Sequence, residues 1–341
     1  MIILHVVTGL EKVSGVTTFV NNVMDQQRSL GETVRVATMT SGFKNCMEGV
    51  DVVHIHGLWT PWLHRASVAA HQNAAKVVWS THGMTAPWSL KHKWWKKVLP
   101  WYLYQRRDLF RADLIHSTCK RESEWNRSLG FHKQVIVPLG TRIRPMMEGS
   151  INAEAKCSKT LLYVGRVYPV KALDRLIAAF AKVVHCGGHV SGEWSLRIVG
   201  PDQANHMMVL KELVSNLKLD GRIDFVGPKF GESLDSEYIS CDGLCLVSHT
   251  ENFGATVVDA MAFGKPVITS TGTPWQEVLE CGAGWWVDND VDSLAKALYE
   301  LMSMDVEKRV EMGHAGRKLV EQKYSWSVVA KSLTTAYQNV V

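Results

Sequence analysis

Twelve short runs rich in β-branched and aliphatic residues alternate with longer stretches of helical period along this chain, and that alternation limits what it can fold into. In the first half the strand-like runs are 2–7, 33–38, 50–55, 76–80, 113–117 and 134–137. In the second half they are 160–164, 196–199, 222–226, 243–247, 266–269 and 284–287. Helical segments separate them, notably 16–30, with Val16, Phe19, Val20, Val23 and Met24 on one face, then 172–185, 207–217 and 256–263. A strand returning parallel to its predecessor needs a helical crossover, so each series predicts a parallel sheet covered on both faces. The expected fold class is α/β, with one doubly wound, Rossmann-like domain over residues 1–150 and a second over 151–324. The joint falls within 144–159, a polar stretch with no strong period. One more helical pattern, 325–341, follows the second series.

Composition narrows the class. At 341 residues the chain exceeds what a single core usually supports, about 300 residues. Its 46% hydrophobic and 21% charged residues exclude disorder, collagen and coiled coil. Residues 1–150 hold 19 Lys and Arg against 10 Asp and Glu, a net of +9, whereas the remainder is at −4. Eight of the 13 tryptophans lie in that basic half. A basic, Trp-rich domain joined to a mildly acidic one points to different partners for the two. The seven cysteines show no paired metal spacing, so a reduced, cytoplasmic compartment and no structural metal are expected. The opening residues lack the basic flank of a signal peptide, and no apolar run reaches the roughly 20 residues of a membrane span.

Open parallel sheets bind ligands at the carboxyl ends of their strands, beside helix N-termini. Three strand-to-helix loops therefore matter most, and two facing sheets would place the site in the cleft between them. The first loop runs from Thr8 to Val16 and carries Gly9 and Gly15; it is either an anion-binding turn or a plain glycine turn. A second loop, 164–171, carries Arg166 and Lys171, two cations that could clamp a diphosphate or simply be solvated. The third is the most informative: His249-Thr250-Glu251-Asn252-Phe253-Gly254-Ala255-Thr256-Val257-Val258-Asp259, running into a helix that stops at Gly264 before Pro266. One carboxylate in the loop and another in the helix flank backbone N–H groups, an arrangement that can hold hydroxyl groups on both sides of a phosphate.

The segment E-N-F-G-x4-D-A-M-A-x-G-K-P-V-I from Glu251 resembles the E-x7-E region of retaining GT-B glycosyltransferases of family 4, also called glycosyltransferase group 1. The likeness extends over nearly the whole chain. Lys12 to Val16 looks like that family's glycine-rich first loop, and Val164-Gly165-Arg166 with Lys171-Ala172-Leu173 looks like its V-G-R…E-K-G-x-D segment. His82 in Ser80-Thr81-His82-Gly83 falls where the family has a histidine near the donor sugar. The stretches 273–277 and 284–287 look like a subset that assembles bacterial surface polysaccharides.

The resemblance implies a GT-B fold and a metal-independent transfer without a cofactor. A sugar would pass from a nucleotide-diphosphate donor, UDP favoured over GDP, to a hydroxyl of a lipid-linked glycan with retention, in O-antigen, capsule or exopolysaccharide synthesis. Arg166 and Lys171 would neutralise the diphosphate, where leaving-group charge develops in the transition state. Glu251 would meet the sugar hydroxyls with the Asn252, Phe253 and Gly254 backbone, and Asp259 the ribose. The N–H groups of Gly15, Ala255, Thr256 and Val257 would bind phosphate, and His82 the sugar near the reacting carbon. Asp259 is one methylene shorter than the usual glutamate. Ala172 replaces a glycine, Val170 a glutamate, and Ser14 a glycine. Helix 325–341 would cross back onto the first domain. A nucleotide-sugar epimerase or hydrolase on the same fold, or a non-catalytic membrane-docking protein, are the alternatives.

Two patterns resemble metal sites. Asp288-Asn289-Asp290 reads as D-x-D but precedes a helix, where it would serve as a cap. His54 and His56 alternate on a strand with no third ligand evident, so they are expected to line the acceptor side, with Trp59, or to bond internally. Segment 87–111 carries Trp88, Trp94, Trp95 and Trp101 among Lys91, Lys93, Lys96, Lys97, Arg106, Arg107 and Arg111. Cations mixed with amphipathic rings suit a peripheral contact with an anionic membrane, at the inner face of the cytoplasmic membrane, with Trp94, Trp95, Lys96 and Lys97 facing it. The alternatives are a helix pair broken at Pro100 with its aromatics inward, or a nucleic-acid surface, for which no motif is present. No nucleic-acid partner is expected.

Overall fold

The structure is a computed structural model that describes residues 1–10, 15–144, 159–188 and 194–341. The chain divides into two units, Met1–Gly140 with Tyr324–Val341, and Thr141–Lys323. The division thus falls before residue 150, and most of the expected joint lies outside the described residues.

Unit 1 contains β1 (Ile2–Val6), α1 (Gly15–Ser29), β2 (Thr33–Ala37), β3 (Val52–His56), α2 (Pro61–Gln72) and β4 (Lys76–Ser80). There follow α3 (Pro87–Lys91), α4 (Trp95–Pro100), a π turn (Trp101–Gln105), α5 (Arg106–Arg111), β5 (Leu114–Ser117), α6 (Lys120–Ser128) and β6 (Gln134–Ile136). All strands pair in parallel, in the order β2-β1-β3-β4-β5-β6. Such strands are covered on both faces, which is why they read as near-continuous apolar runs. One face packs Leu4, Val53, Ile55, Val77 and Trp79 against Leu63, Ala66 and Ala70 of α2. The other packs Ile3, Val52 and Val78 against Phe19, Val20 and Val23 of α1 and against the last helix of the chain.

Unit 2 contains β7 (Lys159–Val164), α7 (Leu173–Cys186), β8 (Trp194–Val199), α8 (His206–Asn216), β9 (Ile223–Gly227), α9 (Glu232–Ser240) and β10 (Gly243–Leu246). It continues with α10 (Ala255–Ala262), β11 (Val267–Ser270), α11 (Glu277–Glu280), β12 (Gly284–Val287), α12 (Val291–Ser303) and α13 (Val306–Lys323). Its parallel sheet runs β12-β11-β10-β7-β8-β9, so the chain steps outward from β7 on one side and then restarts at β10 on the other. The final helix, α14 (Trp326–Gln338), belongs to unit 1, where Trp326, Val329, Leu333 and Tyr337 are buried beside α1.

The strand order is what positions a site. Where the winding direction reverses, two strand-to-helix loops diverge and leave a crevice at the carboxyl edge of the sheet. In unit 2 the reversal lies between β7 and β10, and the loops that follow them are those holding Arg166, Lys171 and Glu251. In unit 1 it lies between β1 and β3, whose loops carry Thr8, Gly9, Gly57 and Trp59.

Candidate functional site

The loop after β7 folds into a short 3-10 turn, Pro169–Lys171, that presents Lys171 at the edge of the crevice. Ala172 follows with φ +52, in the left-handed region that the substituted glycine would occupy without strain. The Lys171 ammonium pairs with the Glu251 carboxylate, which also accepts from the Ser248 hydroxyl at 3.4 Å. Both charged groups are largely buried, so the pair is shielded from salt. Arg166 is exposed; it donates to Gln203 Oε1 at 2.7 Å and lies over the Tyr168 ring, 6.0 Å from its centroid. The Tyr163 hydroxyl donates to the Arg166 carbonyl at 2.9 Å, tying the loop down to β7. Arg166 and Lys171 thus stand in one loop of the crevice.

Glu251 is held by its backbone. Its N–H donates to Gly272 O at 3.0 Å, and His249 N–H donates to Val170 O at 2.9 Å, joining the β10 loop to the β7 and β11 loops. Gly272 permits this approach, since a Cβ there would stand 2.2 Å from Ser248 O. Gly254 caps α10 at φ +80, and a Cβ on it would meet Leu246 at 2.8 Å and Glu251 Cγ at 3.2 Å. Phe253 is buried with its ring against Trp275, 5.0 Å between centroids, and its carbonyl accepts from the Trp275 indole. Phe253 therefore anchors the loop rather than lining its surface.

At the α10 N-terminus the expected phosphate donors are reduced by one. Val257 N–H already donates to Gly254 O at 3.0 Å, closing the first turn. Ala255 and Thr256 open the helix ahead of it, and the buried Thr256 hydroxyl has no hydrogen-bond partner among the described residues. An unpaired buried hydroxyl beside two leading N–H groups is a place made for an acceptor. Asp259, one turn further, accepts from the Thr141 hydroxyl at 2.6 Å. Burial pushes its carboxyl up to about 6, with Asp235 adding to the rise and Thr141 and Arg144 opposing it.

Unit 1 offers a second crevice. A cavity of about 340 Å³ is lined by Thr8, Gly9, Thr17, His56, Gly57 and Met84, at its own switch point. Gly15 is the exposed first residue of α1, while Lys12, Val13 and Ser14 lie outside the described residues. Trp59 has φ +75; its N–H donates to Gln105 Oε1 at 2.7 Å and its carbonyl accepts from Tyr104 at 2.8 Å. His82, half-buried after β4, has φ +47. Backbone strain of this kind persists only where the surroundings enforce it.

The enforcing residue is Glu122, which the sequence reading passed over. Its fully buried carboxylate accepts from the Thr81 hydroxyl at 2.7 Å, from Gly83 N–H, and from the N–H and hydroxyl of Thr118, both at 2.7 Å. Burial opposes ionisation, yet these donors outweigh it and hold the pKa below the usual range. In the sequence it is one acid in a charged helix, and only its side-chain partners distinguish it.

The two metal lookalikes resolve differently. Asp290 caps α12, accepting from Asp292 N–H at 3.0 Å and Ser293 N–H at 2.9 Å, as expected. His54 and His56 do acquire a third neighbour: β1 pairs with β3 so that His5 sits opposite His54, and nitrogens of the three lie within 4.8 Å of one another. Strand pairing, not sequence spacing, brings His5 beside them.

Segment 87–111 departs from the inward-facing alternative. Helix runs through Pro100 without a break, from α4 through the π turn into α5. Trp88, Trp94, Trp95, Val98, Leu99, Tyr102, Leu103 and Phe110 are all exposed, and 95, 98, 99, 102 and 103 share one helical stripe. Lys96 is exposed with them. Lys97 is not part of that face: it donates to Ser89 O and His92 O and lies over the Trp59 ring at 5.8 Å. No helix among the described residues is long and apolar enough to cross a membrane.

Residues 150–319 match the profile of the family described as "Glycosyl transferases group 1". A D-inositol 3-phosphate glycosyltransferase of Kineococcus radiotolerans is 28% identical over 235 residues, 61% of this chain and 52% of that protein. A GDP-mannose-dependent monoacylated alpha-(1-6)-phosphatidylinositol monomannoside mannosyltransferase of Corynebacterium glutamicum is 25% identical over 308 residues, 83% of this chain and 75% of that one. The chain spans about half the length of several of the curated relatives it matches. Among solved structures, Anabaena HepE in complex with UDP superposes with a TM-score of 0.77 at 15% identity, covering 99% of this chain and 100% of that one. The two Rossmann-like units are those of the GT-B fold.

Proposed function

From the match of residues 150–319 to the glycosyl transferases group 1 family, we propose that the chain is a retaining hexosyltransferase using a nucleotide-diphosphate sugar. The observation carrying this reading is the switch-point crevice of unit 2. It gathers Arg166, the Lys171–Glu251 pair, and an α10 N-terminus with an unpaired Thr256 hydroxyl. Two cations, two leading N–H groups and a hydroxyl suit a diphosphate, and they take the place a metal would otherwise fill. A bound diphosphate would draw Lys171 from Glu251 and free that carboxylate for the sugar hydroxyls, while Asp259 would meet the ribose. As the sugar–phosphate bond breaks, charge grows on the β-phosphate, where fixed cations lower the barrier without reorganising. Among the described residues no carboxylate pair marks a double displacement, so the departing phosphate would deprotonate an acceptor hydroxyl arriving on the same face. UDP is favoured, as bound by HepE, although the corynebacterial relative uses GDP-mannose.

Unit 1 would present the acceptor, with His82 bonding the donor sugar and His56 and Trp59 on the acceptor side. The exposed Trp94, Trp95, Leu99 and Tyr102, with Lys96, Arg106 and Arg107, fit an anionic bilayer and hence a lipid-linked glycan of surface-polysaccharide synthesis at the cytoplasmic membrane.

Screening nucleotide sugars for thermal stabilisation identifies the donor. Lys171→Ala and Glu251→Ala should each lower transfer by about 10²–10³ with the fold retained. Near-normal turnover in both refutes the site. A glycosyl adduct on Glu251 refutes same-face attack, and donor consumption unaffected by glycan indicates a hydrolase or epimerase. Failure of anionic vesicles to retain the protein at low salt removes the membrane reading.

A further inference from the structure

The face of the first sheet beneath α1 and α14 carries a layer of imidazoles. His5 of β1, His54 and His56 of β3 and His116 of β5 are fully buried, and His82 stands at the rim after β4. Their hydrogen bonds form two strings, and each string ends on an atom that can only accept.

In the first string, His5 Nε2 lies 2.8 Å from Gln27 Oε1, and with the amide in this orientation, which leaves Gln27 Nε2 buried without a hydrogen bond among the described residues, the His5 nitrogen carries the proton. A neutral ring has one proton, which leaves His5 Nδ1 bare to accept from His56 Nε2 at 2.9 Å. His56 Nδ1 is then bare in turn and accepts from His82 Nε2 at 3.1 Å. In the second string His116 Nε2 donates to Val137 O at 2.7 Å, and Ser80 donates to His116 Nδ1 at 2.6 Å. Ser80 accepts from His54 Nε2 at 2.6 Å, while the Tyr337 hydroxyl donates to His54 Nδ1.

We propose that Gln27, His5 and His56 are positioning residues that lock the tautomer of His82, keeping its proton on Nε2 and leaving Nδ1 as a hydrogen-bond acceptor. His82 Nδ1 has no hydrogen bond among the described residues, and the lock makes it ready for a sugar hydroxyl. The use of that acceptor rests on the reading of His82 given under Proposed function; the lock itself does not. The string orients and does not conduct. A proton entering at His82 would have to leave at the Gln27 amide oxygen, which is too weak a base to hold it. Burial keeps His5 and His82 down at about 4 and His56 well below its ordinary value, so the rings stay neutral. The groups facing His82 are His56, His116, the Glu122 carboxylate and the edge of the Phe19 ring. Three nitrogens within 4.8 Å could instead ligate a metal ion. The 2.9 Å His5–His56 spacing, with both nitrogens aimed at each other, is that of a shared proton.

Nitrogen-15 histidine spectra of the whole protein at pH 7 read the tautomers directly, with each ring identified by single substitution. His5, His56 and His82 are expected with the proton on Nε2. Gln27→Glu places a carboxylate at the inner end and holds His5 doubly protonated. His5 Nδ1–H then donates to His56, and His56 Nδ1–H donates to His82, so His56 and His82 both invert. In Gln27→Glu His82 should carry its proton on Nδ1, and kcat should fall about tenfold with a smaller change in donor KM. Inversion with unchanged turnover establishes the lock and removes His82 from the donor site. The proposal is overturned by an Nδ1-protonated His82 in the unaltered protein, which needs no variant to fold. An uninverted His82 in folded Gln27→Glu, or one equivalent of zinc that His5→Ala abolishes, overturns it equally.

Discussion

Asp259 is held ionised at a cost, and Asp259→Asn should relieve it. The carboxyl moves from 3.8 in the unfolded chain to about 6 in the folded one, because burial disfavours its charged form. A gap of about 2 units corresponds to roughly 3 kcal/mol between charged and neutral forms. The folded state binds the proton more tightly, so this carboxyl destabilises unit 2 progressively as pH rises from 3.8, fully above 6. Asparagine resembles the neutral form and still accepts from Thr141 through its amide oxygen. Burying its new NH₂ group costs about 1 kcal/mol. The net expectation at pH 7.5 is a gain of about 2 kcal/mol, or roughly 4–8 °C in Tm. Melting wild type and variant side by side from pH 7.5 to 4 cancels every other titration, and the advantage should vanish by pH 4. Donor affinity should fall about tenfold if the carboxylate meets the ribose. A variant no more stable at pH 7.5, or an advantage independent of pH, refutes the reasoning.

Other substitutions test the same geometry. Ala172→Gly should raise stability by about 0.5–1 kcal/mol in urea titrations, since it relieves a left-handed alanine. Gly254→Ala combines positive φ with a 2.8 Å clash on Leu246 and should cost about 2–4 kcal/mol, with nucleotide-dependent stabilisation lost. Glu122→Gln should reduce turnover through the His82 turn and lower Tm, because a neutral amide cannot accept all four donors. Unit 1 should lose stability as pH falls from 6.5 towards 4. Its buried histidines bind protons less well than the unfolded chain, His5 alone accounting for about 3 kcal/mol, and acid titration of near-ultraviolet dichroism follows the loss.

The strands were legible because both faces of each sheet are buried, so periodicity gave way to apolar runs closed by polar loops. The loops were legible because Glu251, Arg166 and Lys171 sit at strand ends in a recognisable pattern. Strand order was not, since nothing in a run such as 243–246 says it lies beside 159–164, and that adjacency is what brings Lys171 to Glu251. The same gap hid His5 from His54 and His56. Pro100 misled because the helix continues through it into the π turn, with Trp101 N–H donating to Lys97 O and Arg106 N–H to Trp101 O. Val257 looked like a free donor only because a first helical turn can close on itself. Asp259 gave no hint of its raised pKa, which comes from burial and not from neighbours in sequence.

The return of α14 to unit 1 sets an order of assembly during synthesis. Residues 141–323 form one continuous stretch and can close their core as soon as they have emerged. Unit 1 begins first yet must wait for Trp326, Leu333 and Tyr337 before the face bearing its imidazoles is roofed. The usual vectorial sequence, N-terminal body before C-terminal body, is reversed here. A chain truncated after Lys323 and released from the ribosome should therefore expose an open, protease-sensitive first unit tethered to a finished second one.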